Sequence, residues 1–336
     1  MKKPKLIFAI VLLFLAVYML FFVEGKPKKQ YFVDSGYVFG TTYHITYEAD
    51  SSLTNVIRAS FQRVDASLSM FNPNSVISAV NRNESVTLDS LFLTIFYKSQ
   101  QISLATNGAF DITVAPLVNL WGFGLKEQTP VTAAQIDSLL PLIGYHKIAI
   151  KNRQVVKDNA LMMLDASAIA KGFACDVVAH DLARHGAKNY LVEIGGELVA
   201  QGVNAKGKSW RVGINKPIED STSVVSEIQQ VVDMTQGAMA TSGNYRNFYL
   251  QNGKKYSHTI DPLSGYPVQH SLLSATIVSN DCMTADAYAT ACMVMGLEKS
   301  LELCRSRQDI EGYFIYDDSD SLKVVWSDGF PIQVDK

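Results

Sequence analysis

Ser274-Ala275-Thr276-Ile277-Val278-Ser279, followed closely by Thr284-Ala285-Asp286-Ala287-Tyr288-Ala289-Thr290, is the stretch on which the architecture turns. The first run reads as a strand, and the second opens an Ala- and Met-rich helix expected over 281–295. A further helix, Leu297–Cys304, and a strand pair, Tyr313–Tyr316 with Leu322–Trp326, then close the chain. This is not the regular alternation of a doubly wound sheet. On a helix Asp286 and Thr290, four residues apart, share one face. Two hard oxygen ligands beside a turn suit Mg²⁺, which takes one or two carboxylates and fills its shell with water and substrate phosphates. The substrate this implies carries a phosphate or pyrophosphate.

Working outward, the same mixture recurs. Leu53, Ile57, Phe61, Val64 and Leu68 stand at helical spacing and predict an amphipathic helix over 52–68. Helices are also expected at Ser75–Asn81, at Asp89–Thr106 before the stop signal Asn107-Gly108, at Thr132–Ile143 before Gly144, and at Ser167–His185 before Gly186. Val38–Tyr47 reads as one strand, and Lys147–Leu164 as two or three with a turn near Asn152-Arg153. Tyr190–Ile194, Trp210–Ile214, Val224–Asp233 and Asn247–Leu250 are further strands, and Asn252-Gly253 suits a hairpin between Tyr249 and Tyr256. Helices intermixed with mostly antiparallel strands predict an α+β fold. Without repeat, low-complexity segment or linker after residue 35, residues 37–336 are expected to be a single catalytic domain.

Of 336 residues, 48% are hydrophobic, ample for a large core, and the net charge of −2 without a basic tract argues against nucleic acid as a partner. The N-terminus differs. Lys2, Lys3 and Lys5 precede an uncharged apolar run, Leu6–Val23, and no small-x-small cleavage site closes it. Residues 1–25 therefore read as a signal anchor or, second, a cleaved signal peptide, and 26–36 as a tether. With a large folded domain behind it, the chain is expected at the bacterial inner membrane, its catalytic domain on the periplasmic or extracytoplasmic side. Cys175, Cys282, Cys292 and Cys304 form no C-x-x-C pair, so they read as buried small hydrophobes, with a disulfide left open.

Five constellations carry chemistry. Asp165-Ala166-Ser167-Ala168-Ile169-Ala170-Lys171-Gly172 lies where a strand gives way to a helix. Asp165 or Ser167 is either a cap for that helix or part of an anion site. Lys171 in the first turns is disfavoured by the helix dipole, a conflict that a bound anion would remove. Glu193-Ile194-Gly195-Gly196-Glu197 permits close backbone approach, or is simply a turn between strands. His258, in Ser257-His258-Thr259-Ile260-Asp261-Pro262, is a structural histidine or a general base. Ala109, Phe110 and Asp111, after Gly108 and before Trp121-Gly122-Phe123-Gly124, either join the core or wall a planar ligand. Ser69-Met70-Phe71-Asn72-Pro73-Asn74-Ser75 lines a pocket or is an ordinary turn.

Taken in order, these segments resemble the bacterial FAD:protein FMN transferases, the ApbE-type flavin transferases, from about Gly40 to Met295. Gly40-Thr41-Thr42-Tyr43, the Ser69–Ser75 loop with Asn81, Gly108–Asp111, Asp165–Gly172 with Asp176, Glu193–Gly196, Ala240-Thr241-Ser242-Gly243, His258–Pro262 and Thr284–Thr290 all fall in the family's sequence. The resemblance implies Mg²⁺-dependent cleavage of the FAD pyrophosphate. FMN is joined through its phosphate to a Thr or Ser of a target redox protein, and AMP is released. It also implies that the Ala168 carbonyl, Asp286 and Thr290 hold Mg²⁺, and that Phe39, Phe71, Ala109–Asp111, Asp165 and Lys171 contact FAD. His258 matches the base that takes the acceptor hydroxyl's proton. The expected acceptors are subunits of membrane redox complexes. Phe71 stands where the family often has Tyr, and Phe39 where Met is common. Two alternatives are a Mg²⁺-dependent FAD pyrophosphatase on the same scaffold and a flavin-binding protein without turnover.

Overall fold

The computed structural model describes residues 30–125, 130–218, 227–244, 248–251, 254–319 and 321–332. The chain enters through β1 (Gln30–Val38) and β2 (Thr41–Ala49), followed by α1 (Thr54–Leu68), α2 (Val76–Asn81) and α3 (Ser90–Ala105). Next come α4 (Ala115–Leu120), α5 (Ala133–Leu139) and a ribbon of β3 (Ile148–Lys151) and β4 (Gln154–Lys157). The long helix α6 (Ser167–Arg184) leads to β5 (Tyr190–Ile194), β6 (Glu197–Gln201), β7 (Trp210–Asn215), β8 (Ile228–Met234) and β9 (Gln236–Gly243). The hairpin β10 (Phe248–Gln251) and β11 (Lys254–Ser257) precedes β12 (Leu272–Ser279). Helices α7 (Cys282–Met295) and α8 (Leu297–Ser306) and strands β13 (Ile310–Asp317) and β14 (Leu322–Trp326) complete the order.

Eight strands form one sheet in the order β1-β2-β5-β6-β9-β12-β13-β14, every neighbouring pair antiparallel. The α+β reading holds. Side-chain alternation sorts the inner strands between two cores. Ala238 and Ala240 of β9, Ala275 and Ile277 of β12, and Phe314 of β13 face the main core under the helices. Met239, Tyr313 and Ile315, the residues in between, face a second core closed by the β7–β8 ribbon through Trp210, Ile214 and Val232. A third, smaller cluster gathers Leu117, Trp121, Ile136, Ile143 and Ile260 beside the site.

Two N-terminal expectations are corrected. Gln30–Ser35, expected as tether, belongs to β1, because Phe32 stacks on Tyr47 and Asp34 accepts hydrogen bonds from Tyr47 (2.8 Å) and Thr54 (2.6 Å). The single strand expected over 38–47 is broken at Phe39-Gly40, where φ is +50° and +75°. Positive φ at both central residues closes a two-residue hairpin with the twist its strands need. The Lys147–Leu164 segment holds two strands, not three, turning at Asn152-Arg153 as expected. The Tyr249–Tyr256 pairing is present, whereas Asn252-Gly253 lies outside the described residues. The predicted anchor lies outside them too. Among the described residues no helix is long and apolar enough to cross a membrane.

The contact that positions the site is α6 against α7. A Cβ added at Gly172 would meet the Cys282 carbonyl oxygen at 2.3 Å and Asp286 Cβ at 2.7 Å. Asp176, one turn further along α6, accepts the N–H groups of Cys282 and Met283, each at 2.8 Å. Burial pushes its carboxyl up to about 7 against the downward pull of those two donors. A side chain at 172 would wedge the helices apart. Gly172→Ala is therefore expected to lower unfolding stability by about 1–3 kcal/mol, the usual cost of overpacking. Urea denaturation at unchanged m checks this, and an unshifted midpoint would contradict so close a contact.

Candidate active site

Two adjoining cavities open beside that helix contact. The first, about 470 Å³, is walled by Ala109–Ile112, the start of α6, the Gly195-Gly196-Glu197 turn, Thr241–Gly243, His258–Ile260, Asp286 and Thr290. The second, about 500 Å³, lies between Phe39-Gly40, the Val64–Leu68 face of α1 and Met70-Phe71. Asp165, Ser167 and Lys171 line both. All eleven residues singled out from the sequence thus wall one or both cavities.

The first cavity is held by backbone and side-chain bonds from distant segments. Asn81 grips Leu164, donating to its carbonyl at 2.9 Å and accepting from its N–H at 2.7 Å. The Asp165 N–H donates to the Ile112 carbonyl at 2.7 Å, and Asp165 Oδ1 accepts the Ser167 N–H at 2.7 Å. Asp111 spends its carboxylate on the loop. Oδ1 accepts from the Thr113 N–H (2.8 Å) and hydroxyl (2.7 Å), and Oδ2 from the Tyr145 N–H (2.7 Å). Burial raises the pKa of both acids above the ordinary carboxylate value, and these donors pull it back. Their structural work is plain: each ties a cavity wall to the chain behind it.

The three oxygens implied as metal ligands lie on one side. Asp286 and Thr290 project from successive turns of α7 into the cavity, with Asp286 only 2% exposed. The N–H of Gly172, normally the partner of the Ala168 carbonyl in an α-helix, donates to Asp286 Oδ2 at 2.9 Å. The carbonyl of Ala168, on the same wall, therefore shares its usual donor with a neighbouring helix. Thr290 Oγ1 lies 3.2 Å from Ser242 Oγ on β9, which adds a fourth oxygen donor, a hydroxyl that the sequence alone does not place in the site. Among the described residues no cluster of three or more His, Cys, Asp or Glu is built for a metal. One carboxylate with neutral oxygens suits a hard ion that keeps its water, such as Mg²⁺, better than zinc.

Lys171 meets Glu197 here. Its ammonium lies 2.5 Å from Glu197 Oε1, so the cation that the sequence reading balances with a bound anion already has a protein partner. Burial raises the Glu197 pKa, with Lys171 opposing it. For Lys171, burial lowers the pKa but the charges of Glu197 and Asp286 outweigh it, so the ammonium stays charged. Glu197 is the main residue missed from sequence. Its only signal is the acid after the paired glycines.

His258 follows β11 and lies edge-on to Phe123, ring centroids 6.3 Å apart. The loop beyond is cross-linked by hydrogen bonds. Asp261 and Tyr266 close it through an N–H to carbonyl bond of 2.9 Å, and the Trp121 indole donates to the Gly265 carbonyl at 2.8 Å. In the second cavity Phe39 packs edge-on to Phe61, while Phe71 is 72% exposed on a loop pinned by Ser75 to the Ser69 carbonyl and by Asn72 to Asp65. The four cysteines are buried free thiols.

The sequence profile of the ApbE family matches residues 39–314, which contain every element walling the two cavities. The chain belongs to the ApbE family. Among its relatives are the FAD:protein FMN transferases of Vibrio cholerae, 37% identical over 84% of this chain and 86% of that protein, and of Escherichia coli K12, 36% identical over 85% and 83%. The solved flavin transferase ApbE from Vibrio cholerae superposes with a TM-score of 0.81 at 34% identity, covering 91% of this chain and all of that one. The apo form of the flavinyl transferase ApbE from Pseudomonas stutzeri gives 0.79 at 31% identity, over 90% of this chain and 96% of that one. The mostly antiparallel α+β architecture is therefore the ApbE fold.

Proposed function

We propose that this member of the ApbE family transfers FMN from FAD to a threonine or serine hydroxyl of a target redox protein and releases AMP. The observation that carries the reading is the convergence, in one cavity, of a carboxylate, neutral oxygens, a lysine ammonium and a histidine from separate segments. Two cavities joined at Asp165, Ser167 and Lys171 suit an elongated ligand with a ring system at each end and a charged bridge between. In this reading the apolar cavity of Phe39, Met70 and Phe71 takes one ring system, and Lys171 meets the pyrophosphate. Asp165 and the Ala109–Asp111 wall line the ligand's path.

Ala168, Asp286 and Thr290 would hold Mg²⁺, which when bound neutralises phosphoryl charge and polarises the phosphorus for attack. Lys171 contributes a fixed positive charge to the same bridge. His258 takes the proton as the acceptor hydroxyl oxygen forms its bond to the FMN phosphorus. The bond from that phosphorus to the AMP oxygen breaks, and AMP leaves with the electron pair. The hydrogen-bonded Asp261–Tyr266 loop follows the imidazole, which lines the cavity that the acceptor hydroxyl must enter. The apolar run of residues 6–23 supports a membrane-tethered, extracytoplasmic enzyme whose acceptors are membrane redox subunits.

The test incubates the full-length protein in detergent with FAD, Mg²⁺ and an acceptor domain, then follows flavin fluorescence on a denaturing gel with AMP assayed in parallel. The expected result is a fluorescent acceptor and equimolar AMP, both lost with EDTA. AMP and free FMN without a labelled acceptor would favour the pyrophosphatase. Bound FAD without AMP would reduce the protein to a flavin carrier.

A further inference from the structure

Glu197 is 3% exposed, and a buried carboxylate is costly unless both its oxygens are satisfied. Only one is. Oε1 accepts from Lys171, whereas Oε2 is buried without a hydrogen-bond partner. A plain structural ion pair would be cheaper to replace with apolar packing, so the fold retains this acid at a cost.

Lys171 has a second carboxylate nearby. It precedes Gly172, the point of closest approach between α6 and α7, where the Gly172 N–H binds Asp286 Oδ2. Asp286 lines the same cavity as Lys171, and its charge influences both members of the Lys171–Glu197 pair. A lysine is a compact charge on a flexible stem and settles on whichever carboxylate attracts it more strongly. It is bonded to Glu197 at the start of β6 and forms no ion pair with Asp286.

We propose that Glu197 is a positioning residue that holds the Lys171 ammonium away from Asp286 and so leaves that carboxylate to the divalent cation. The inference rests on Asp286 being a metal ligand. Without the Glu197 charge, Lys171 swings to Asp286 and competes with the metal for it.

The experiment measures Mn²⁺ affinity of the full-length protein without FAD, from the electron paramagnetic resonance signal of free Mn²⁺. Glu197→Gln, nearly isosteric, is expected to weaken Mn²⁺ binding at least about tenfold. Adding Lys171→Met to it is expected to restore affinity, and a metal-free crystal structure of Glu197→Gln to show Lys171 Nζ bonded to Asp286. Unchanged Mn²⁺ affinity in Glu197→Gln, a double variant that stays weak, or Lys171 still away from Asp286 would each overturn the proposal. Failure of the underlying metal reading looks different: wild type would bind no Mn²⁺, or Asp286→Ala would bind it as wild type does.

Discussion

Asp286→Ala is expected to lower the rate of FMN transfer on the order of 10³-fold, while FAD affinity measured by flavin fluorescence falls far less. The size follows from the chemistry: loss of Lewis-acid stabilisation is worth several kcal/mol, and each 1.4 kcal/mol is about tenfold in rate. The asymmetry follows from the cavity. Asp286 is one lining residue, whereas a large ligand also meets Ala109–Ile112, the start of α6 and the adjoining Phe39–Phe71 cavity. Lys171, held by Glu197, remains in the variant to meet a charged bridge. One confounding effect is visible. Asp286 Oδ2 also anchors the Gly172 N–H, so alanine loosens the α6–α7 contact. Asp286→Asn keeps an oxygen for that N–H and removes the charge. It is expected to match alanine in rate while staying closer to wild type in unfolding midpoint. Equal loss of FAD binding and transfer in both variants would mean that the carboxylate serves mainly to hold the flavin.

The parts of the site that were legible from sequence are those whose chemistry lies within one helix turn. Asp286 and Thr290 are four apart, and the structure puts them on one wall for the helical reason given by the spacing. Glu197 was not legible because its partner lies 26 residues away on another element. Asp111 shows a second role that spacing does not reveal. It lines the cavity as expected of a pocket residue, and its oxygens also hold Thr113 and Tyr145, bonds that only the folded chain creates. Central strand β9 escapes pattern reading for a packing reason. Gln236-Gly237-Ala238-Met239-Ala240-Thr241-Ser242-Gly243 is poor in β-formers, yet its small residues let α7 pack closely over the sheet. Phe39 at φ +50° is a similar case, since a bulky residue gives no sequence sign of a left-handed turn.

His258→Asn is expected to lower the transfer rate about 10²–10⁴-fold, the range for loss of a general base, with acceptor KM and FAD affinity little changed. The imidazole is placed for this by rigid neighbours: Phe123 against its edge, and beyond it a loop locked by the Asp261–Tyr266 and Trp121–Gly265 bonds. The base proposed in His258 acts on the incoming hydroxyl rather than on FAD, which separates its effect from that of Asp286. Separate measurement of the rate at saturating acceptor and of acceptor KM supplies the decisive readout. A neutral imidazole accepts a proton and an Asn amide does not, so the variant should lose rate even at saturating acceptor. The two sites also differ towards metal. Raising Mg²⁺ is expected to leave His258→Asn unrescued, because the wall of Ala168, Asp286, Thr290 and Ser242 proposed to hold the ion is intact in it. A variant that kept the wild-type rate at saturating acceptor but lost acceptor affinity would make His258 a docking residue. The proton would then leave by water, and the pyrophosphatase alternative would gain, since water reaches the mouth without a docked protein.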